Sequence, residues 1–294
     1  MNRLFAFGLG FSALTLAKRL SAEGWQIAGT ARDDGKVERL RREGYDVVRF
    51  SGDAGNPALA RHLAGATHLI HSIPPGPGGD PVLKPFREEI AALPSLEWAG
   101  YLSTVGVYGD QEGGWVDEST APNPNSARTG ARVAAEQDWL QFGRETGVPV
   151  HVFRLAGIYG PGRCVFDKLR AGTARRINKD GQVFSRIHVE DIASVLEASI
   201  AKPRGGAIYN VADDEPAAPG DVVAYAAELM GMPPPPEIAF ADADLTPMAR
   251  SFYEGSRRIK NARIKSELGV KLRYPTYREG LTALLADDPA TAQD

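Results

Sequence analysis

Cysteine is almost absent: the 294 residues hold only Cys164. One thiol excludes an internal disulfide and a multi-cysteine metal site, and it fits a reducing compartment. Cys164 itself reads as a small loop residue rather than a nucleophile. No apolar run is long enough to span a bilayer, so no membrane is expected. Charge of one sign is lacking too. Lys and Arg number 34 against 37 Asp and Glu, for a net −3, so nothing calls for nucleic acid or an anionic membrane as partner. No His/Cys/Asp cluster has metal-ligand spacing, so no metal is expected. The apolar N-terminus could pass for a secretory signal. However, paired glycines interrupt it, and Lys18-Arg19 stand where a small-residue cleavage site should be. A cytoplasmic protein is expected.

What is present starts with Leu4 to Leu20. A short apolar run, Leu4–Phe7, reads as a buried strand; Gly8 and Gly10 break it, Ala13 fills a third small position, and a helical pattern begins. This is G-x-G-x-x-A between strand and helix. The first Gly allows the tight turn, the second lets backbone approach a diphosphate, and the small third residue lets helix pack on strand. Gly8, Gly10, Phe11, Ser12 and Ala13 are therefore cofactor candidates. Free helix N–H groups and the dipole would favour the anion. The next strand, Trp25–Ala31, ends in Thr30-Ala31-Arg32. An NAD site usually places a carboxylate there. The absent acid and the Arg at the strand tip point to NADP, with NAD as the alternative should Asp33 take the place by a one-residue slip.

Strands then alternate with helices. Val37–Glu43, Ala58–Leu63, Leu83–Leu93 and Arg128–Thr146 read as helices; Asp46–Phe50, His68–Ile73, Glu97–Ser103 and Val150–Arg154 read as strands. Alternation argues for an α/β fold with a doubly wound parallel sheet, in which ligands bind outside the carboxyl ends of the strands. That rim carries Gly8–Ala13, Thr30, Arg32, Ile73, Pro74, Ser103 and Thr104. Residues 1–158 are expected to form the dinucleotide-binding domain, with a returning strand near 207–211, and 159–294 mainly a substrate lobe. Pro233–Pro236 reads as a rigid spacer, and the last dozen residues as frayed.

Five stretches together resemble the short-chain dehydrogenase/reductase superfamily, in its extended and atypical epimerase/dehydratase-like branch. They are Gly8–Ala13, Leu102-Ser-Thr-Val-Gly-Val-Tyr-Gly109, Arg154-Leu-Ala-Gly-Ile-Tyr-Gly-Pro-Gly162, Arg186-Ile-His-Val-Glu-Asp-Ile192 and Tyr209-Asn-Val-Ala212. The resemblance implies a Ser/Thr four residues before the Tyr of V-Y-G, here Thr104 before Tyr108, as catalytic groups. It also implies a Tyr-x-x-x-Lys pair with an acid four residues beyond the Lys. Anchoring on Glu136 puts Arg132 at the Lys position and Arg128 at the Tyr position. No Tyr in the chain has a Lys four residues on.

The departure matters because a guanidinium does not give up its proton usefully. Arg132 can still act as a fixed cation toward the nicotinamide ribose, and Arg128 can hold a carboxylate or phosphate of the substrate. A proton would have to come from Tyr108, Tyr159, Ser103, His71 or water. Tyr159 is also a candidate substrate contact. His71 and His188 read more readily as structural. Arg186 to Asp191 is expected to open a helix, with Glu190 and Asp191 at its N-terminal end.

Arginines 163, 170, 175, 176, 257 and 258 give the second lobe a cationic bias. In the superfamily such lobes hold small anionic molecules, nucleotide-sugars among them. An NAD(P)-dependent oxidoreductase or epimerase-like enzyme on a small polar, anionic substrate is the leading reading. A non-catalytic NADP-binding sensor or scaffold that has lost its acid is the other. The resemblance further implies a homodimer through Leu83–Leu93 and Arg128–Thr146, with Val133, Trp139, Leu140 and Phe142 as apolar contacts.

Overall fold

The computed structural model describes residues 1–52 and 57–288. The chain begins β1 (Arg3–Phe7), α1 (Phe11–Ala22), β2 (Gln26–Ala31), α2 (Asp34–Arg42), β3 (Asp46–Arg49), α3 (Pro57–Leu63), β4 (His68–His71), α4 (Leu83–Ala91), β5 (Trp98–Thr104). After a short 3₁₀ turn, Val105–Tyr108, come β6 (Trp115–Val116), α5 (Ala127–Thr146), β7 (Val150–Leu155) and β8 (Gly157–Tyr159). The lobe adds α6 (Phe166–Arg170), β9 (Arg176–Asn178), β10 (Arg186–His188) and α7 (Val189–Ala201). The chain continues with β11 (Ile208–Val211), α8 (Pro219–Leu229), β12 (Glu237–Ala239), α9 (Pro247–Phe252), β13 (Arg258–Ile259), α10 (Ala262–Ser266) and α11 (Tyr277–Ala286).

Seven strands form one parallel sheet in the order β3-β2-β1-β4-β5-β7-β11. Its strands are buried on both faces, which is why β1 reads as a continuous apolar run. Leu4 and Ala6 point into a core shared with Leu16, Leu20, Ile192 and Leu196; Phe5 and Phe7 point into the other, with Phe86, Tyr101, Trp139 and Phe142. The strand period of two thus sends neighbours to opposite layers. A third cluster, around Phe166, Leu169, Val222 and Leu281, supports the lobe. Paired short strands (β8 with β10, β9 with β12, β6 with β13) stitch the later segments to the earlier ones.

The expected elements are found with ends shifted by a few residues. Arg186–His188 departs from expectation. It is strand β10, and α7 opens only at Val189, with the His188 ring accepting from the Glu190 N–H as its cap. Pairing with β8 keeps this stretch extended. The expected fraying does not reach α11, which is helical to Ala286. Residues 289–294 lie outside the described part.

Candidate functional site

Strand order reverses between β1 and β4, and the crevice there is where an open α/β sheet receives a ligand. One wall is the turn from β1 to α1. Gly8 has φ +85°, and a β-carbon on it would stand 2.8 Å from Ser72 Oγ. Thr30 Oγ1 accepts the Gly8 N–H at 2.9 Å, and the Thr30 carbonyl accepts from Leu9 at 2.8 Å. Ser72 Oγ donates to the Gly8 carbonyl. The turn is therefore fixed from β2 and from the end of β4. Helix α1 then starts at Phe11, capped by Gly10 without any side-chain acceptor. Its first-turn N–H groups remain for an anion. Ala13 is fully buried beneath them. A backbone cradle that a β-carbon would fill and an uncapped helix start fit a dinucleotide diphosphate.

The turn opens on a cavity of about 2050 Å³. A single small ligand needs roughly 300–1,000 Å³, so the space suits a dinucleotide together with a second molecule. From Gly10, Phe11 and Ser12 the wall runs past Ser72, Pro74 and Pro75 to Leu102–Gly106, at the end of β5 and the start of the 3₁₀ turn. It continues to Arg128, Thr129 and Arg132 on α5, and then to the lobe. Seven cationic side chains line it (Arg128, Arg132, Arg163, Lys168, Arg175, Arg186, Arg257) against three acidic ones (Asp167, Asp244, Glu254).

Thr104 stands at the tip of β5 on this wall. Its Oγ1 accepts the Gly106 N–H at 3.1 Å, which leaves the hydroxyl hydrogen to donate outward. Arg132 donates to the Leu102 carbonyl at 2.9 Å and to the Tyr101 hydroxyl at 3.1 Å, lying over the Tyr101 ring. Arg128, one turn earlier on the same helix, is exposed and stacks over Phe252 at 5.2 Å. Neither guanidinium has a carboxylate partner among the described residues.

Other candidates are placed differently. Tyr108 is fully buried and absent from the cavity wall. Its hydroxyl donates to Asn210 Oδ1 at 2.8 Å and accepts from Arg154 at 2.9 Å, and burial raises its pKa despite the guanidinium. Its hydroxyl is thus held inside the fold instead of facing the cavity, contrary to the expectation for a catalytic group. Tyr159 touches the cavity, but its hydroxyl turns to the Thr276 carbonyl at 3.5 Å, and burial raises its pKa. That makes it a poor proton source. Ser103 reaches the wall, yet its hydroxyl donates to buried Glu136. Thr30 is buried, and its hydroxyl supports the Gly8 turn. Ile73 lies behind Gly8, whose β-carbon it would crowd at 3.0 Å, while Pro74 lines the cavity.

Arg32 is exposed just beyond β2, outside the cavity wall, with no ion pair among the described residues. Asp33 caps α2, its Oδ1 accepting the Lys36 N–H at 2.8 Å. His71 is buried against Asp80 at 2.9 Å and packs on Tyr101 and Trp139. His188 sits between Tyr159 and Tyr274, its pKa lowered to about 4 by burial and by Arg273.

Sequence reasoning used Glu136 only as an anchor and missed its partner. Arg154 Nη2 meets Glu136 Oε2 at 2.7 Å, both side chains 3% exposed. The six lobe arginines divide: Arg163, Arg175 and Arg257 face the cavity. Arg170 pairs with Asp167 and Asp288, Arg176 with Glu237, and Arg258 donates to the Gly113 carbonyl. Among the described residues no group of three or more His, Cys, Asp or Glu could hold a metal, and no helix is long and apolar enough to cross a membrane.

Comparison with known proteins agrees with this architecture. Protein YeeZ of Escherichia coli (strain K12) is 31% identical over 290 residues, spanning 94% of this chain and 97% of that protein. A functionally unknown conserved protein from Silicibacter pomeroyi DSS has a solved structure 53% identical to this chain. It superposes with a TM-score of 0.90 over 98% of this chain and 99% of that one. MoeE5 in complex with UDP-glucose and NAD shares the fold at 22% identity, with a TM-score of 0.75 over 97% and 98% of the two chains. Residues 96–212, from the start of β5 to the end of β11, match the family model. With its parallel sheet, glycine turn and β5–α5 wall, the chain belongs to the NAD dependent epimerase/dehydratase family.

Proposed function

We propose that this protein is an NAD(P)-dependent oxidoreductase or epimerase-like enzyme acting on a small, polar, anionic molecule, with NADP preferred over NAD. One observation carries the substrate reading. Arg128 and Arg132 stand one turn apart on the cavity side of α5, without carboxylate partners among the described residues and within the wall that holds Thr104. Like charges at i and i+4 repel, and a bound carboxylate or phosphate relieves that repulsion through forked hydrogen bonds. The UDP-glucose held by MoeE5 supports a nucleotide-sugar as one such anion.

A dinucleotide held by the Gly8–Ala13 turn would supply hydride-transfer chemistry. The chain's own residues do the rest. Thr104 donates to a substrate oxygen. Arg132, clamped to Leu102, holds positive charge beside it. Arg128 seats the anion. Arg32, exposed and without an ion pair among the described residues, supports the NADP preference, and Asp33 spends one carboxylate oxygen on capping its helix.

The experiment is a parallel titration of NADPH and NADH, followed by carbonyl, sugar-nucleotide and acidic substrates with the better cofactor. Thr104→Ala should cut turnover by about 10²-fold or more while cofactor affinity stays near wild type. Full turnover in that variant would refute the assignment. Equal NADPH and NADH affinities, unchanged by Arg32→Ala, would refute the cofactor preference. The sensor or scaffold reading draws on one observation: Tyr108, Ser103, Tyr159 and His71 are all committed to partners inside the fold. Tight cofactor binding with no turnover across the panel would favour it.

A further inference from the structure

The turn that follows β8 brings a lobe arginine to the cofactor turn. Gly160 and Arg163 exchange backbone hydrogen bonds, Arg163 N–H to the Gly160 carbonyl at 2.9 Å and Gly160 N–H to the Arg163 carbonyl at 3.2 Å. The turn is thereby rigid. It is pressed against α1. A β-carbon on Gly160 would meet Val189 Cγ1 at 2.7 Å and Phe11 Cζ at 3.2 Å. The Arg163 guanidinium lies over the Phe11 ring, 5.7 Å from its centroid, on the cavity wall. It is exposed and has no ion pair or side-chain hydrogen bond among the described residues. Phe11 is the first residue of α1, so its ring carries the guanidinium beside the uncapped helix start.

We propose that Arg163 clamps the dinucleotide diphosphate from the lobe side, opposite the Gly8–Ser12 backbone, so that cofactor affinity depends on the lobe as well as on the glycine turn. This rests on reading that turn as the diphosphate seat. The cation–π contact with Phe11 holds the guanidinium near the helix start, and its N–H groups are left for phosphate oxygens. The backbone cradle supplies dipoles but no formal charge, and Arg163 adds the missing one.

Calorimetric titration of wild type, Arg163→Ala and Arg163→Lys tests this with three probes. NADPH and ADP-ribose carry the diphosphate; adenosine 2′-monophosphate, which has no 5′-phosphate, occupies the adenosine end alone. Arg163→Ala should bind NADPH and ADP-ribose about 10-fold more weakly. It should bind adenosine 2′-monophosphate within about twofold of wild type, and the deficit for NADPH and ADP-ribose should shrink at high salt. Arg163→Lys should fall between, keeping the charge without the guanidinium's forked donors. Undiminished ADP-ribose affinity in Arg163→Ala would overturn the clamp while leaving the glycine turn as the seat. Equal loss of all three probes would also overturn it, as loosening of the lobe. Failure of wild type to bind NADPH and ADP-ribose would overturn the diphosphate seat itself.

Discussion

Replacing Glu136 with alanine tests what holds the cavity rim around Thr104 in place. The carboxylate accepts from Arg154 through Nη2 at 2.7 Å and through Nε at 3.2 Å to each oxygen, and also from Ser103. Arg154 Nη1 reaches Tyr108, and Tyr108 reaches Asn210. One network thus ties α5, β7, the end of β5 and β11, immediately behind Thr104. Both charged side chains are 3% exposed. Removing one member leaves the other charged in a dry site, which costs about 3–5 kcal/mol. At roughly 2–3 °C per kcal/mol for a chain of this size, the melting temperature should fall by about 6–15 °C. Calorimetry and urea unfolding would measure it. The double variant Glu136→Ala with Arg154→Met removes the orphaned charge. It should recover part of the loss, with a coupling of at least about 2 kcal/mol. A single-variant loss below about 1 kcal/mol, or simple additivity in the double variant, would show that the pair does not hold the rim.

Gly8→Ala puts a side chain at a positive φ and against Ser72, so it should lose about 1–3 kcal/mol of stability. It should also lose detectable NAD(P)H binding; tight binding in this variant would refute the cradle. Burial works to raise the Asp80 pKa, but His71 and the Leu83 and Val82 N–H groups outweigh it and hold the carboxyl at about 2, below its ordinary 3.8. Its stabilisation, about 2 kcal/mol, should therefore be complete above pH ~4 and fade as pH falls toward 2. Asp80→Asn should lose that acid limb, and an unchanged pH profile would count against it. A homodimer across α4 and α5 would have to meet on Leu140 and on charged groups such as Arg87 and Glu145, because Trp139 and Phe142 are turned into the core. Light scattering at micromolar concentration should give twice 31.6 kDa, and a single 31.6 kDa species would reject the dimer.

The cofactor side of this protein was legible because its signals are local. A glycine forced to φ +85° between an apolar strand and a helix declares itself within a few residues, as does the small Ala13 beneath the helix. The alternation of strands and helices is likewise written in short-range periodicity, which is why the parallel sheet could be anticipated. The helix expected at Arg186 shows the limit. That stretch is extended because β8, distant in sequence, pairs with it.

The side facing the proposed substrate was less legible, since a residue's type does not say what its polar atoms are already doing. Tyr108 sits in a motif position that invites a catalytic reading, yet Arg154 and Asn210, 46 and 102 residues away, take its hydroxyl. Arg163 and Phe11 lie far apart in the chain and meet only because the lobe turn folds back on α1. Sequence alone determined the family, the glycine turn and the absence of the Tyr-x-x-x-Lys pair, all properties of contiguous residues. Tertiary packing decided which arginines are free and which hydroxyls are spent, because long-range hydrogen bonds and burial, not residue identity, set what each group can still bind.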